Sequence, residues 1–367
     1  MGFRCGIVGL PNVGKSTLFN ALTRTAAAQA QNYPFCTIEP NTGEVAVPDP
    51  RLETIAALAK SPRVLPTRLT FVDIAGLVRG ASRGEGLGNK FLANIREVDA
   101  VAHVLRCFED SEVTHVEGCI DPIADAETVE TELMLADLES LERRVEPLRK
   151  KAMVKDKEAL AILPAMEAAL AALKDGRMVR TLKPGMAPED WASMRGLGLL
   201  TAKPVLYVCN VAEAEAATGN PETRRVAEKA KAEGAACVII SAAIEAEVAQ
   251  LPDDEQREYL AAMRLEEPGL NRMIRAGYAL LDLVTFFTAG PKEARAWTVR
   301  RGARAPQAAG AIHTDFERGF IRAQTISYDD FVALGGEAGA KEAGRARDEG
   351  KDYVVQDGDV ILFKFAT

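Results

Sequence analysis

Along the first part of the chain, short apolar runs alternate with helix-length stretches. Phe3 to Leu10 reads as a buried strand, Ser16 to Thr25 as a helix and Leu69 to Ile74 as a strand. Ala100 to Cys107, Pro204 to Cys209 and Cys237 to Ser241 read as three more strands. Such alternation specifies a parallel sheet with helices on both faces. Between about Ala126 and Leu197 the period changes. Met134, Leu138, Leu141, Val145, Leu148 and Ala152 form a coiled-coil-like stripe, and Ala159, Leu163, Met166, Leu170 and Leu173 form a second. Joined through the charged stretch Lys155-Asp156-Lys157, they predict an antiparallel helical arm, inserted because strand-like runs resume at Pro204. Pro147 and Pro164 lie inside the stripes and predict kinks or breaks there. A third region starts near Ala279. Thr285 to Thr288, Ala294 to Val299 and Arg322 to Ile326 read as strands, and Pro306 to Phe316 as a helix. In the final run, Tyr353 to Phe363, Asp357-Gly358 predicts a hairpin. This is the pattern of a small α+β, grasp-like module.

A length of 367 residues suggests two or three domains. The pattern divides them into a discontinuous α/β domain (1–125 and 198–278), the arm (126–197) and the terminal module (279–367). A hydrophobic content of 47% is enough for real cores. The net charge of −8 argues against bulk binding to naked nucleic acid, and no sequence-specific DNA partner is expected. Six scattered cysteines, with no C-x-x-C and no histidine at metal spacing, read as reduced thiols. The N-terminus enters a strand directly without a secretory pattern, and no run is long and apolar enough to span a membrane. A cytoplasmic protein is therefore expected, and a monomer, since no self-complementary seam is visible beyond the arm.

Gly9-Leu10-Pro11-Asn12-Val13-Gly14-Lys15-Ser16-Thr17 matches G-x-x-x-x-G-K-[ST], after a strand and before a helix. The glycines let the backbone curl so that its N–H groups, from Asn12 through Thr17, point at phosphate oxygens. Lys15 adds a point charge to the β- and γ-phosphates, and the helix N-terminus adds its positive dipole end. Ser16 offers a hydroxyl to Mg²⁺. Asp73, ending a strand, can hold the metal shell, and Thr37 in the loop before it can complete it. The amide of Gly76 can sense the γ-phosphate. At Leu77, just after Gly76, Ras-type enzymes carry a water-orienting glutamine. Leucine can neither donate nor accept, so hydrolysis must be slow, use another group or await a partner. His115 is a candidate for that group; His103 reads as a core residue and His313 lies far along the chain.

Together these residues resemble the Obg-related class of translation-factor GTPases, with residues 80–92 similar to its glycine-rich second switch. The resemblance sharpens to the YchF subfamily, the Obg-like ATPases. Asn210-Val211-Ala212-Glu213 stands where a GTPase has N-K-x-D, and residues 305–320 look like the subfamily's C-terminal TGS module. The resemblance implies a Ras-like P-loop domain with an inserted arm and a TGS β-grasp domain. It further implies an ATPase that binds the ribosome, the large subunit included. In cation-activated relatives an Asn at the Asn12 position helps to hold K⁺.

The base-reading residues allow an independent argument. Val211 replaces the lysine that packs over guanine, and Glu213 replaces the aspartate that accepts its N–H groups, one methylene longer. A displaced carboxylate weakens guanine contacts, which favours ATP over GTP. Ser241 and Ala242 are expected to back the base. Basic residues cluster on the arm (Arg143, Arg144, Arg149, Lys150, Lys151) and in the terminal module (Arg295, Arg300, Arg301, Arg304), a plausible grip on ribosomal RNA. Two other readings stay open: a GTPase of the same architecture, and a scaffold whose turnover is incidental, which Leu77 favours. A small-molecule kinase would not need Gly76 or the Asn210/Glu213 pair.

Overall fold

The computed structural model describes residues 3–30, 41–74, 87–109 and 120–366. The elements are, in order, β1 (Arg4–Val8), α1 (Lys15–Ala30), β2 (Thr42–Ala46), α2 (Pro50–Ala59), β3 (Arg63–Leu65) and β4 (Arg68–Asp73). There follow α3 (Leu87–Glu97), β5 (Ala100–Arg106), α4 (Pro122–Met153), α5 (Lys157–Lys174) and α6 (Pro188–Gly196). Next come β6 (Val205–Asn210), α7 (Pro221–Glu233), β7 (Ala236–Ile240), α8 (Ala242–Val248), α9 (Asp253–Ala262) and α10 (Gly269–Leu280). The chain finishes with β8 (Leu283–Ala289), β9 (Glu293–Arg300), α11 (Ala305–Ile312) and α12 (Thr314–Arg318). After these come β10 (Phe320–Ile326), α13 (Tyr328–Ala333), α14 (Glu337–Glu342), β11 (Arg347–Glu349) and β12 (Val360–Phe365).

The chain divides into two units, Met1–Val45 with Thr70–Leu280, and Ala46–Leu69 with Leu281–Thr367. In the first, the sheet order is β2-β4-β1-β5-β6-β7, with β4, β1, β5, β6 and β7 mutually parallel. Central β5 and β6 are buried along their whole length, as strands covered on both faces must be. The arm is the pair α4 and α5, whose facing sides share a core with Val179, Met194, Leu197 and Leu199. Asp121 and Asp156 cap the two helices by accepting backbone N–H groups. Both helices continue without a break through Pro147 and Pro164, where kinks or breaks were expected. Each proline forfeits a single backbone hydrogen bond, and the shared apolar core holds the flanking turns in place.

The second unit's sheet runs β11-β10-β12-β8-β9-β3. Its first face packs on α11 through Phe286, Ala308, Ala309 and Phe363; its second on α2, α13 and α14 through Phe287, Ile55, Phe331 and Ala340. Residues 46–69, read from sequence as part of the first domain, thus supply α2 and β3 to the terminal sheet. The expected hairpin at Asp357-Gly358 is absent, because its polar groups are engaged elsewhere. Asp357 accepts from Thr285 N (2.9 Å) and Arg51 (2.7 Å), and Gly358 N donates to Thr285 O (2.8 Å). β12 then pairs with β10 and β8. The expected single helix from Pro306 is two, divided at His313, whose Nδ1 accepts from Asp315 N.

Candidate functional site

β1 delivers the chain into the glycine-framed loop, and α1 takes it away. Glycine is required at both ends of the loop for steric reasons. A Cβ on Gly9 would lie 2.7 Å from the Val104 carbonyl oxygen of β5. At Gly14 φ is +90°, and a Cβ would lie 2.2 Å from Asn210 Nδ2. Val13 anchors the loop in the core, while Asn12, at φ 64°, is exposed. Lys15 Nζ lies 2.7 Å from Asp73 Oδ1, both side chains being largely buried. Ser16 and Thr17 are exposed on the first turn of α1. An ammonium, a carboxylate and two hydroxyls are therefore gathered at the carboxyl ends of β1 and β4, where α/β sheets bind ligands. Among the described residues no three His, Cys, Asp or Glu side chains are grouped to hold a metal alone. The donor set at Ser16 and Asp73 is hard oxygen, suited to a divalent ion that also takes phosphate oxygens.

Asn210 ends β6 and is buried. Its Nδ2 donates to Val13 O and its Oδ1 accepts from Ala242 N, both at 2.9 Å. One amide thus ties the phosphate loop to the head of α8, with both ends of the side chain committed to backbone. Val211 is turned into the core, 2% exposed, and its N–H donates to Ile240 O. It presents no side chain at the surface. A valine in an apolar run packs inward once its amide has joined the sheet edge. Glu213 is exposed at the head of a short turn. Ala242 is buried, and Ser241 is buried with its hydroxyl lacking a partner among the described residues.

Sequence reasoning passed over one residue beside this amide. Arg106, in register with Asn210 across β5 and β6, is 1% exposed. Its guanidinium lies 4.8 Å over the Phe108 ring, and its Nε donates to Phe108 O. The available signal was a single charge closing the apolar run Ala100–Leu105. Thr37, Gly76, Leu77 and His115 lie outside the described residues. His103 is buried in β5, and burial pushes it down to about 4, so it is a neutral core residue at physiological pH.

Four of the nine residues in the expected basic clusters are paired with acids within their own units. Arg143 pairs with Glu139, Arg149 with Glu146 and Glu167, Arg301 with Asp282 and Arg304 with Asp352. Arg144 donates to Leu197 O, and Arg295 stacks 3.9 Å over Trp297. No described helix is long and apolar enough to cross a membrane.

Comparison with known proteins agrees with this geometry. A family model described as 50S ribosome-binding GTPase matches residues 4–141. The YchF-GTPase_C model, described as a protein of unknown function, matches residues 283–366. The Haemophilus influenzae protein named ribosome-binding ATPase YchF is 59% identical over 365 residues, covering 100% of this chain and 99% of that one. The Bacillus subtilis protein of the same name is 51% identical over 370 residues, covering 100% of both. The solved structure of the Schizosaccharomyces pombe YchF GTPase is 36% identical and superposes with a TM-score of 0.87. It covers 99% of this chain and 98% of that one.

Proposed function

This chain belongs to the YchF family, and from that premise we propose that it is a ribosome-associated P-loop ATPase acting as a nucleotide-dependent switch. It would hydrolyse ATP to ADP and phosphate. The observation that carries the reading is the 2.7 Å pairing of Lys15 with Asp73 beside the loop from Gly9 to Thr17. Loop amides and Lys15 grip the β- and γ-phosphates. Ser16 and Asp73, with Thr37, fit Mg²⁺, which neutralises phosphate charge when bound. The amide of Gly76 would report the γ-phosphate, and Asn12 would help to hold K⁺. Leu77 cannot orient water, which makes unaided turnover slow and leaves His115 or a partner to position the nucleophile.

Base choice falls to Glu213. Asn210 already spends its side chain on Val13 O and Ala242 N, and the Val211 side chain is buried. An exposed carboxylate one methylene out of the usual place supports ATP. The ribosome, with its large subunit, is the partner that the relatives' names and the first family model's description support. That description, and the naming of the yeast relative as a GTPase, favour a second reading, GTP as the nucleotide.

Titration calorimetry of the full chain with Mg·ATP and Mg·GTP tests the proposal, with ribosome co-sedimentation alongside. ATP should bind the more tightly, and Lys15→Ala should lower hydrolysis by at least about a hundredfold. Tighter GTP binding would move the assignment to the second reading. Absence of affinity for either would overturn both.

A further inference from the structure

The turn that joins α4 to α5 carries a surface the nucleotide site does not use. Met153 is 83% exposed and Val154 78%, the two most exposed large apolar side chains among the described residues. Around them stand Lys150, Lys151, Lys155 and Lys157, all exposed and, among the described residues, all without an ion pair. The arm's arginines differ, being held by carboxylates along the helices or by a backbone carbonyl. Two acids share the turn: Asp156, which caps α5 by accepting from Ala159 N at 2.8 Å, and the exposed Glu158 in the first turn of α5.

The turn is built rather than frayed. Lys155 N donates to Ala152 O at 2.9 Å, and Asp156 N to Lys151 O at 3.2 Å. Lys155 holds φ at 61°, a left-handed conformation in which glycine is the unstrained choice. A lysine there adds backbone strain and contributes a fourth cation. Strained positions of this kind cluster at functional sites.

We infer that the arm tip docks into an acidic protein surface, with Met153 and Val154 entering an apolar pocket and the four lysines meeting its carboxylate rim. Protein hot spots have this layout, an apolar centre ringed by polar groups, and methionine is enriched in them. Phosphate contacts alone would give no return on two aliphatic side chains held in water. The tip also lacks the aromatic rings and arginine planes that bind exposed bases. The proposal rests on the ribosome reading above for its probe.

In the test, p-benzoyl-L-phenylalanine replaces Val154 in the full chain, which is irradiated with purified ribosomes. Each adduct is then treated separately with nuclease and with protease. The expected product is nuclease-resistant, and mass spectrometry identifies an acidic ribosomal protein in it. An adduct to RNA, or to a basic protein, overturns the inference, as does no adduct from ribosomes that co-sediment with the chain. If the wild type fails to co-sediment at all, the ribosome reading falls and this inference with it. Two variants give an independent readout. Met153→Ser with Val154→Ser should weaken ribosome affinity by at least about tenfold. Lys155→Gly should weaken it by about threefold or more while leaving Tm unchanged or raised, since glycine relieves the backbone. Unchanged affinity in both would sink the proposal.

Discussion

Asn210→Ala should weaken ATP and GTP equally and lower stability, because the structure makes Asn210 a clamp before it is a reader. Its side chain amide holds Val13 O and Ala242 N at 2.9 Å each. Val13 is 1% exposed and Ala242 4%, so neither backbone group can turn to water when the amide is removed. Each buried group left unsatisfied costs about 1–3 kcal/mol, or about 2–6 kcal/mol for the pair. For a domain of this size that is a fall in Tm of roughly 5–15 °C. Released from Asn210, the loop carrying Gly14 also loses its fixed distance from α8, and both nucleotides lose affinity by about tenfold or more. Glu213→Ala is the contrast. Its side chain is exposed, so stability should stay within about 0.5 kcal/mol while the ATP-to-GTP affinity ratio shifts. Thermal melts and calorimetry with each nucleotide measure all four quantities. An altered nucleotide ratio in Asn210→Ala at wild-type Tm would refute the reasoning.

Three further outcomes follow from packing and charge. Gly14→Ala should abolish nucleotide binding in calorimetry, since φ is +90° and the added methyl would sit 2.2 Å from Asn210 Nδ2. Glu245, 2% exposed, accepts from Gly269 N and Leu270 N at the start of α10, and burial pushes its carboxyl up to about 6 from 4.5. Stability from its neutral form is fully present below pH 4.5 and lost as pH rises through 6, by about 2 kcal/mol. Urea melts of Glu245→Gln between pH 4.5 and 7.5 should show that much less slope than wild type. Arg180 bridges Glu130 and Glu233 at 2.7 Å each, with all three side chains nearly buried. Arg180→Met should cost about 3–5 kcal/mol in urea unfolding, by leaving two acids with Lys229 as their one opposing charge among the described residues.

Legibility from sequence was uneven for identifiable reasons. Buried parallel strands such as Ala100–Arg106 show as unbroken apolar runs, and the phosphate loop as a fixed spacing, because both are local. The arm's two stripes were equally visible. Residues 46–69 were not assigned correctly, since their partners lie more than 200 residues away in Phe287, Ala294 and Ala296. The local signal for α2 was nonetheless present: Asp49 before Pro50, then Leu52, Ile55 and Ala56. Asp357-Gly358 misled because turn propensity cannot see Thr285 and Arg51 competing for the aspartate. At the site, residue identity located Asn210 but not its job. Whether an amide faces a base or a carbonyl depends on which loop crosses it, and that is a tertiary fact.

The arm's root and tip are held by different physics, and this is what makes the tip separable by mutation. At the root, Asp137 accepts from Leu200 N, Thr201 N and the Thr201 hydroxyl, all within 3.1 Å. Burial pushes its carboxyl up, against hydrogen bonds that favour the charge. Glu130 is bonded to Tyr207, Arg180 and Lys229, which joins α4 to β6 and α7. Lys203, three residues past Leu200, donates to Arg96 O and Val98 O at the end of α3. That helix begins ten residues after Leu77. Asp137, Glu130 and Lys203 at the root thus each have partners whose loss would leave a charge or amide out of water, and substituting them cannot be read as a binding effect alone. The tip has the opposite accounting. Its lysines meet only water within the described chain, and its apolar pair is already exposed, so truncating them removes almost no native contact. Affinity lost there without a fall in Tm has to come from a partner.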